Sequence, residues 1–298
     1  MSFQTIKSGA EALGFNVDLN EPMKKHTSFL IGGPADLFVE VKDVNKLPQL
    51  MALINEHNVP CYIIGKGTNL LVSDEGLRGV VLFIADETIT VDGNRVTCAA
   101  GVKLTKLCLE AKNHSLSGLE FACGIPGTVG GAVYMNAGAY GGEVKDVIVS
   151  CTSLTRDGRL ITRTAEELNL GYRTSVFKSN DEIILSATFE LKSGDKEEIR
   201  GAMEELLAKR KAKQPVEFPS AGSTFKRPDG YFAAALIEEC GLKGVSVGSA
   251  EVSVKHSGFV INKGGATCND VLQLIELIKE TVLREKNVEL ETEVIYLR

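Results

Sequence analysis

What this sequence lacks narrows its function before any motif is read. Its seven cysteines (61, 98, 108, 123, 151, 240 and 268) are odd in number, widely scattered and never spaced Cys-x-x-Cys. That argues against a disulfide framework or a zinc knuckle and leaves reduced, mostly buried thiols. The four histidines (26, 57, 114 and 256) have no ligand-like spacing, His-Glu-x-x-His is absent and no nucleophile elbow is assigned. No metal is therefore expected, and hydrolase chemistry loses ground. Basic charge is also short: 33 Lys and Arg against 39 Asp and Glu leave a net charge of −6, which repels phosphate backbones and argues against a nucleic-acid partner. The longest uncharged run, Phe121 to Gly142, is 22 residues with seven glycines and Pro126, so it reads as a glycine-rich loop rather than a membrane span. Met1 to Lys7 holds no apolar h-region or small-residue cleavage site, which makes a cytoplasmic location the expectation.

What remains is an ordinary globular composition, 44% hydrophobic and 24% charged, over 298 residues. That length suits about two domains, or three small ones. Val44, Leu47, Leu50, Met51 and Ile54 recur at helical spacing within 43–58, and an apolar run at 59–64 predicts the strand that follows. A second apolar run spans 79–85, after which Asp92-Gly93-Asn94 predicts a hairpin between 88–91 and 95–99. Leu104, Leu107, Cys108 and Ala111 predict a helix; Asp157-Gly158 predicts another hairpin and 182–191 a strand. Segment 195–213 reads as a helix whose terminal bases oppose the dipole, and Gln214 to Pro219 ends it at a plausible domain boundary. A helix over 269–286 and an alternating strand over 288–297, its acids facing water, complete the chain.

Several short stretches could carry chemistry. Gly65-Lys66-Gly67-Thr68-Asn69 follows an apolar strand, where backbone N–H groups can meet phosphate oxygens. Gly124 to Ala132, with Asn136-Ala137-Gly138 behind it, concentrates glycine where close backbone approach to a ligand would justify its entropic cost. In Gly171-Tyr172-Arg173 an arginine beside an aromatic could grip a carboxylate. Ser223 in Gly222-Ser223-Thr224-Phe225-Lys226 is either a turn residue or a catalytic hydroxyl, and His256 is either a packed loop residue or a functional one.

Taken together, these stretches resemble the UDP-N-acetylenolpyruvoylglucosamine reductase family. The resemblance is carried by His26-Thr27, Ile31 to Asp36, Gly65 to Leu71, Gly124 to Ala132, Asn136 to Gly138, Tyr172-Arg173, Gly222 to Lys226 and Lys255-His256 near Phe259 to Asn262. It implies an α+β chain: an FAD-binding fold of the vanillyl-alcohol-oxidase type in two α+β subdomains (1–88 and 89–205), then an α+β domain for the UDP-sugar (206–298). It further implies that FAD passes a hydride from NADPH to UDP-N-acetylglucosamine enolpyruvate, a step of bacterial peptidoglycan precursor synthesis. By motif position, Gly65, Lys66, Gly67, Thr68, Asn69, Leu70, Gly124, Ile125, Pro126, Gly127, Thr128, Gly130, Gly131, Ala132, Asn136 and Gly138 would hold the cofactor. Arg173, Ser223 and Glu293 would be catalytic, with Glu291 the rival in register, while Tyr172, Lys226 and His256 would bind substrate. Two features depart from the commonest pattern. Leu30 stands where the family often has a basic residue, and Lys192-Ser193-Gly194 is too short for a tyrosine-bearing insertion, so the chain looks like the family's shorter type. A monomer or weak oligomer is expected. The alternatives are another FAD oxidoreductase of the same fold and a non-catalytic nucleotide sensor.

Overall fold

Leu47, Leu50, Met51 and Ile54 form the buried face of a helix, as their spacing requires. In the computed structural model, which describes residues 2–298, that helix is α2 (Leu47–Glu56), against which α1 (Ser2–Ala12) packs. The approach is close enough that a Cβ on Gly9 would lie 2.4 Å from Leu53 Cδ2. Two compact units organise the chain: the first takes residues up to Leu19, Leu37–Lys66 and Gly79–Lys209, the second Asn20–Asp36, Gly67–Arg78 and Arg210–Arg298. The expected 1–88 and 89–205 segments therefore fall mostly into one unit. They share one core, which runs from Ile6 and Leu50 through Leu107 to Phe189.

Cys61–Ile64 pairs in parallel with Leu77–Ile84, in the four-stranded order Asn16–Pro22, Pro34–Val41, Leu77–Ile84, Cys61–Ile64, most of whose residues belong to the first unit. A five-stranded antiparallel sheet follows, ordered Leu160–Thr164, Ile148–Leu154, Ile183–Glu190, Arg95–Ala99, Ile89–Asp92. Both expected hairpins are present, closing at Asp92↔Arg95 and Leu154↔Leu160 with Gly93 and Gly158 at positive φ. Helix α3 (Leu104–Asn113) buries the four predicted residues. The glycine-rich stretch is not all loop: seven of its residues form α4 (Val129–Met135), which buries Val129, Ala132 and Val133. A short α5 (Phe177–Asn180) precedes the strand at 183–190, and α6 (Lys196–Lys213) follows it.

The second unit has its own core. Helix α7 (Ala233–Glu239) and helix α8 (Cys268–Lys286) bury Leu236, Ile237, Val271, Leu274, Ile275, Ile278 and Val282 there, together with Phe29, Ile31 and Leu71 from the early segments. A three-stranded antiparallel sheet is ordered Ser246–Val247, Ala250–Val252, Val260–Asn262. The N-terminus of α8 is capped twice. Thr267 and Asp270 form a capping box, and the Asp74 carboxylate accepts from the Cys268 and Asn269 N–H groups at 2.8 and 3.1 Å. The expected strand over 288–297 shrinks to Ile295–Leu297, which pairs in parallel with Leu70–Val72. Upstream of it, Glu291 and Glu293 bond singly to Lys226 and Thr224 around one Phe225↔Thr292 bridge, so no ladder forms. No helix among the described residues is long and apolar enough to cross a membrane.

Candidate active site

In the first unit the candidate residues are arranged by α4. At its N-terminal end lies the glycine loop. The Leu104 N–H bonds to the Gly127 carbonyl at 3.1 Å, and the Val129 and Gly130 N–H groups donate to the Val102 and Ala100 carbonyls at 2.8 and 2.9 Å. Those two donors fasten the helix and do not face a ligand. Gly65 comes so near that a Cβ there would sit 2.4 Å from Thr128 Oγ1, and a Cβ on Gly130 would meet Ala100 Cβ at 2.9 Å. Gly65 and Gly130 are thus accounted for by packing within the chain, and Ala132 is buried in the core. Gly124 and Ile125 are half-buried, Pro126 is exposed, and the exposed Lys66 places its ammonium 5.9 Å from the Phe83 ring centre.

Gly131 differs. It is exposed, its φ is not positive, and an added Cβ would meet only Thr128 Oγ1, at 3.8 Å. Glycine in a helix costs about 1 kcal/mol relative to alanine. Neither crowding nor backbone conformation repays that cost, so the bare backbone fits use by something outside the chain.

The C-terminal end of α4 carries the arginine turn. Gly171 and Thr174 exchange two main-chain bonds of 3.2 Å, leaving Tyr172 and Arg173 at the tip. Arg173 adopts φ +54, a left-handed conformation that costs a non-glycine residue about 1–2 kcal/mol. Its guanidinium lies 5.2 Å from the Tyr172 ring centre, and Nη2 donates to the Gly138 carbonyl at 3.4 Å. Ser175 Oγ donates to the Tyr134 carbonyl at 2.7 Å, and Asn136 Nδ2 to the Gly171 carbonyl at 2.9 Å. The resemblance gives Asn136 to the cofactor; in the structure it is 0% exposed and both ends of its carboxamide are engaged within the chain.

In the second unit, Ser223, Lys226 and Glu293 lie on two segments running antiparallel. Thr224 joins them. Its N–H donates to the Gly258 carbonyl at 2.8 Å, its Oγ1 accepts from Val260 N–H at 3.0 Å, and its carbonyl accepts from Glu293 N–H at 2.9 Å. Among the described residues the Ser223 hydroxyl has no hydrogen-bond partner, whereas the hydroxyls of Ser28 and Ser257 donate to the Ser220 and Ala234 carbonyls at 2.6 Å. A turn serine would engage the nearby backbone, and this one does not. Glu291 forms an ion pair with Lys226 and is largely exposed, while Glu293 is half-buried.

The remaining candidates of this unit support the same segments. Asn69 Nδ2 donates to the Glu293 carbonyl at 3.1 Å, its own carbonyl accepts from Ile295 N–H at 2.9 Å, and Leu70 pairs with Ile295. Gly67, at φ +60, packs where a Cβ would lie 2.1 Å from the His26 carbonyl, and Thr68 beside it is half-buried. The His256 Nδ1 accepts from Gly258 N–H at 3.2 Å and burial holds its pKa below the usual value, an arrangement that organises the loop. Sequence reading missed Thr224 and Asn262, whose Nδ2 donates to the Phe29 carbonyl at 3.0 Å. It also passed over Gly244-Val245-Ser246-Val247-Gly248, which has elbow spacing. Ser246 lies in a two-residue strand of an antiparallel sheet, not in the strand-to-helix turn that an elbow requires.

Comparison with known proteins matches two family descriptions: "FAD binding domain" over residues 35–164 and "UDP-N-acetylenolpyruvoylglucosamine reductase, C-terminal domain" over 214–297. The UDP-N-acetylenolpyruvoylglucosamine reductase of Clostridium botulinum strain Hall is 51% identical over 280 residues, covering 94% of this chain and 92% of its own length. The chain belongs to the UDP-N-acetylenolpyruvoylglucosamine reductase family. The enzyme of that name from Clostridium novyi is 52% identical over 91% of this chain and 89% of its own length. The crystal structure of UDP-N-acetylenolpyruvylglucosamine reductase from Thermus caldophilus superposes with a TM-score of 0.81 at 36% identity, over 95% of this chain and 99% of that one. A variant of berberine bridge enzyme, 13% identical with a TM-score of 0.51 over 64% of this chain and 44% of its own, shares the fold alone. The fold is thus the vanillyl-alcohol-oxidase type of FAD-binding fold with the reductase family's C-terminal domain, and the chain is an FAD-dependent oxidoreductase. The open face at Gly131 fits such a flat, phosphate-bearing cofactor.

Proposed function

We propose that this chain reduces UDP-N-acetylglucosamine enolpyruvate to UDP-N-acetylmuramate with NADPH and FAD, with Arg173, Ser223 and Glu293 as its catalytic residues. FAD, when bound, would supply two-electron chemistry, by which a hydride from NADPH reaches the methylene carbon of the enolpyruvyl group. Negative charge then develops at the neighbouring carbon and spreads into the carboxylate. Arg173 stabilises that charge through its guanidinium, which Tyr172 flanks. Ser223 delivers its hydroxyl proton to the neighbouring carbon, and Glu293 hydrogen-bonds the reacting group. Lys226, with Glu291 as its counter-ion, supplies positive charge for the serine alkoxide or the substrate diphosphate. Of the glycine loops, the exposed Lys66 and Gly131 and the half-buried Gly124 and Ile125 would hold the cofactor.

The observation that carries this reading is the unengaged Ser223 hydroxyl, on a segment whose next carbonyl also holds the main chain of Glu293. A cytoplasmic location belongs to the same proposal. NADPH and UDP-sugars are cytoplasmic reactants, and the seven cysteines are free thiols, as a reducing compartment keeps them. Anaerobic stopped-flow absorbance tests the reading. NADPH should bleach the flavin of Ser223→Ala at near the wild-type rate, while reoxidation by the enolpyruvyl substrate should slow by ~10²–10⁴-fold. Wild-type reoxidation in that variant removes Ser223 from catalysis. A wild-type protein that NADPH bleaches but this substrate never reoxidises would instead be an oxidoreductase of the same fold with another substrate.

A further inference from the structure

The one fully buried polar side chain in the glycine-rich stretch besides Thr128 is that of Asn136, and one of its three bonds reaches the base of the arginine turn. Asn136 ends α4 at φ +42, in the left-handed region that asparagine tolerates better than most residues. Nδ2 donates to Glu143 Oε2 at 2.7 Å and to the Gly171 carbonyl at 2.9 Å, and Oδ1 accepts from Lys145 N–H at 2.9 Å. One carboxamide therefore joins the end of α4, the segment 143–145 and the base of the turn that holds Arg173. Both of its hydrogens and its oxygen are committed, and its exposure is 0%, so nothing remains to meet a ligand.

We infer that Asn136 is a positioning residue for Arg173 and makes no contact with the cofactor. The turn needs an external tie because Arg173 is a non-glycine residue at φ +54, a conformation that persists only where its surroundings over-determine it. Two groups from the α4 end provide that tie: the Tyr134 carbonyl, which accepts from Ser175 Oγ, and the Asn136 amide, which donates to Gly171. Asn136 is the side-chain member of the two. Glu143 completes the arrangement by accepting the second amide hydrogen, while its own main chain starts a short 3-10 turn through a capping box with Asp146. A carboxylate at 136 would face the Glu143 carboxylate and the Gly171 carbonyl with no hydrogen to offer either.

The inference rests on the proposed role of Arg173, and the test separates the two. Asn136→Asp keeps the shape and the left-handed conformation but removes both donors, and Asn136→Gly keeps only the conformation. In each, the FAD dissociation constant of the apoprotein, read by flavin fluorescence, should stay within about 3-fold of wild type. NADPH should bleach the flavin normally. Reoxidation by the enolpyruvyl substrate should slow by at least about 30-fold, because a small misplacement of a charge-stabilising group is costly. In an Arg173→Ala background the same substitutions should add little, since they act through the missing guanidinium.

A rise in the FAD dissociation constant that parallels the loss of reoxidation overturns the inference in favour of cofactor contact. Reduced stability with normal reoxidation overturns it in favour of a purely structural tie. If neither position-136 variant folds, Glu143→Ala decides: slower reoxidation with normal bleaching supports the inference, and two normal half-reactions overturn it. Wild-type reoxidation in Arg173→Ala alone would instead sink the underlying role of the arginine.

Discussion

The two units hold their candidate groups by different means. In the first, Arg173 sits on a turn that two main-chain bonds close and that the side chains of Asn136 and Ser175 tie to its surroundings, each reaching a main-chain carbonyl. In the second, Ser223 and Glu293 are held chiefly by main-chain bonds, from Thr224 to Gly258, Glu293 to Thr224 and Lys226 to Glu291. A side-chain tie can be deleted by one substitution, whereas a main-chain tie survives nearly all of them. The first unit should therefore be the one in which second-layer substitutions reach the chemistry.

The largest expected break in this comparison is at Arg173. Arg173→Gly should slow flavin reoxidation by ~10²–10³-fold, the usual loss for a charge-stabilising donor. It should also raise the free energy of unfolding by up to about 1 kcal/mol, because glycine accepts the positive φ without strain. Urea titration beside stopped-flow absorbance would show the opposite signs. A stability loss would mean that the turn is not strained.

Next comes the ionic clamp of the first unit, in which Arg163 holds the nearly buried Glu182, with one N–O separation of 2.7 Å and Ser153 Oγ donating at 2.5 Å. Burial pushes the Glu182 pKa up, but the hydrogen bonds from Arg163 and Ser153 outweigh it and the net shift is downward. Glu182→Gln should cost about 3 kcal/mol at neutral pH. A depressed carboxylate contributes stability above its unfolded pKa and loses it as pH falls through the folded one. The gap between wild type and variant should therefore shrink as pH falls below the ordinary glutamate value of 4.5. A gap that is constant over that range would show that the carboxylate charge contributes nothing.

Thr224→Val tests the main-chain side of the comparison. It orphans the Val260 N–H and should cost about 1–2 kcal/mol of stability, yet change reoxidation by less than about 3-fold because the main-chain bonds remain. A much larger kinetic effect would erase the contrast between the units. The smallest effect belongs to Glu291→Gln, which releases Lys226 from its counter-ion and should lower the KM for the anionic substrate about 2-fold, less at high salt. An unchanged KM would separate Lys226 from substrate binding.

Periodicity made much of the fold legible. Helix α2 buries four of the five residues its spacing singled out, the half-buried Val44 lying in the 3-10 turn before it; helix α3 buries all four of its own, α6 and α8 begin within a residue of the expected start, and both hairpins close where Gly93 and Gly158 stand. Helix α4 was hidden because glycines 130 and 131 lower helix propensity and its burial alone sustains it. The final strand was over-read because alternation is necessary for a ladder but does not provide a partner. Within the site, the ion pair of Glu291 was not legible because its partner Lys226 is 65 residues away in sequence. The tie made by Asn136 was hidden for the same reason: the carbonyl it serves is 35 residues downstream, and nothing local marks it.

The way the chain threads its second unit has a consequence for synthesis. Phe29, Ile31 and Leu71 belong to a core whose other members, Ala221 to Val294, emerge only after residues 79–209. At roughly 5–20 residues per second, translation leaves those three apolar side chains waiting on the order of ten seconds for their partners. Over that interval the nascent chain offers chaperones an early target that the finished protein conceals. A ribosome stalled before residue 221 should hold segments 23–33 and 67–76 open to protease even where the first sheet is already protected.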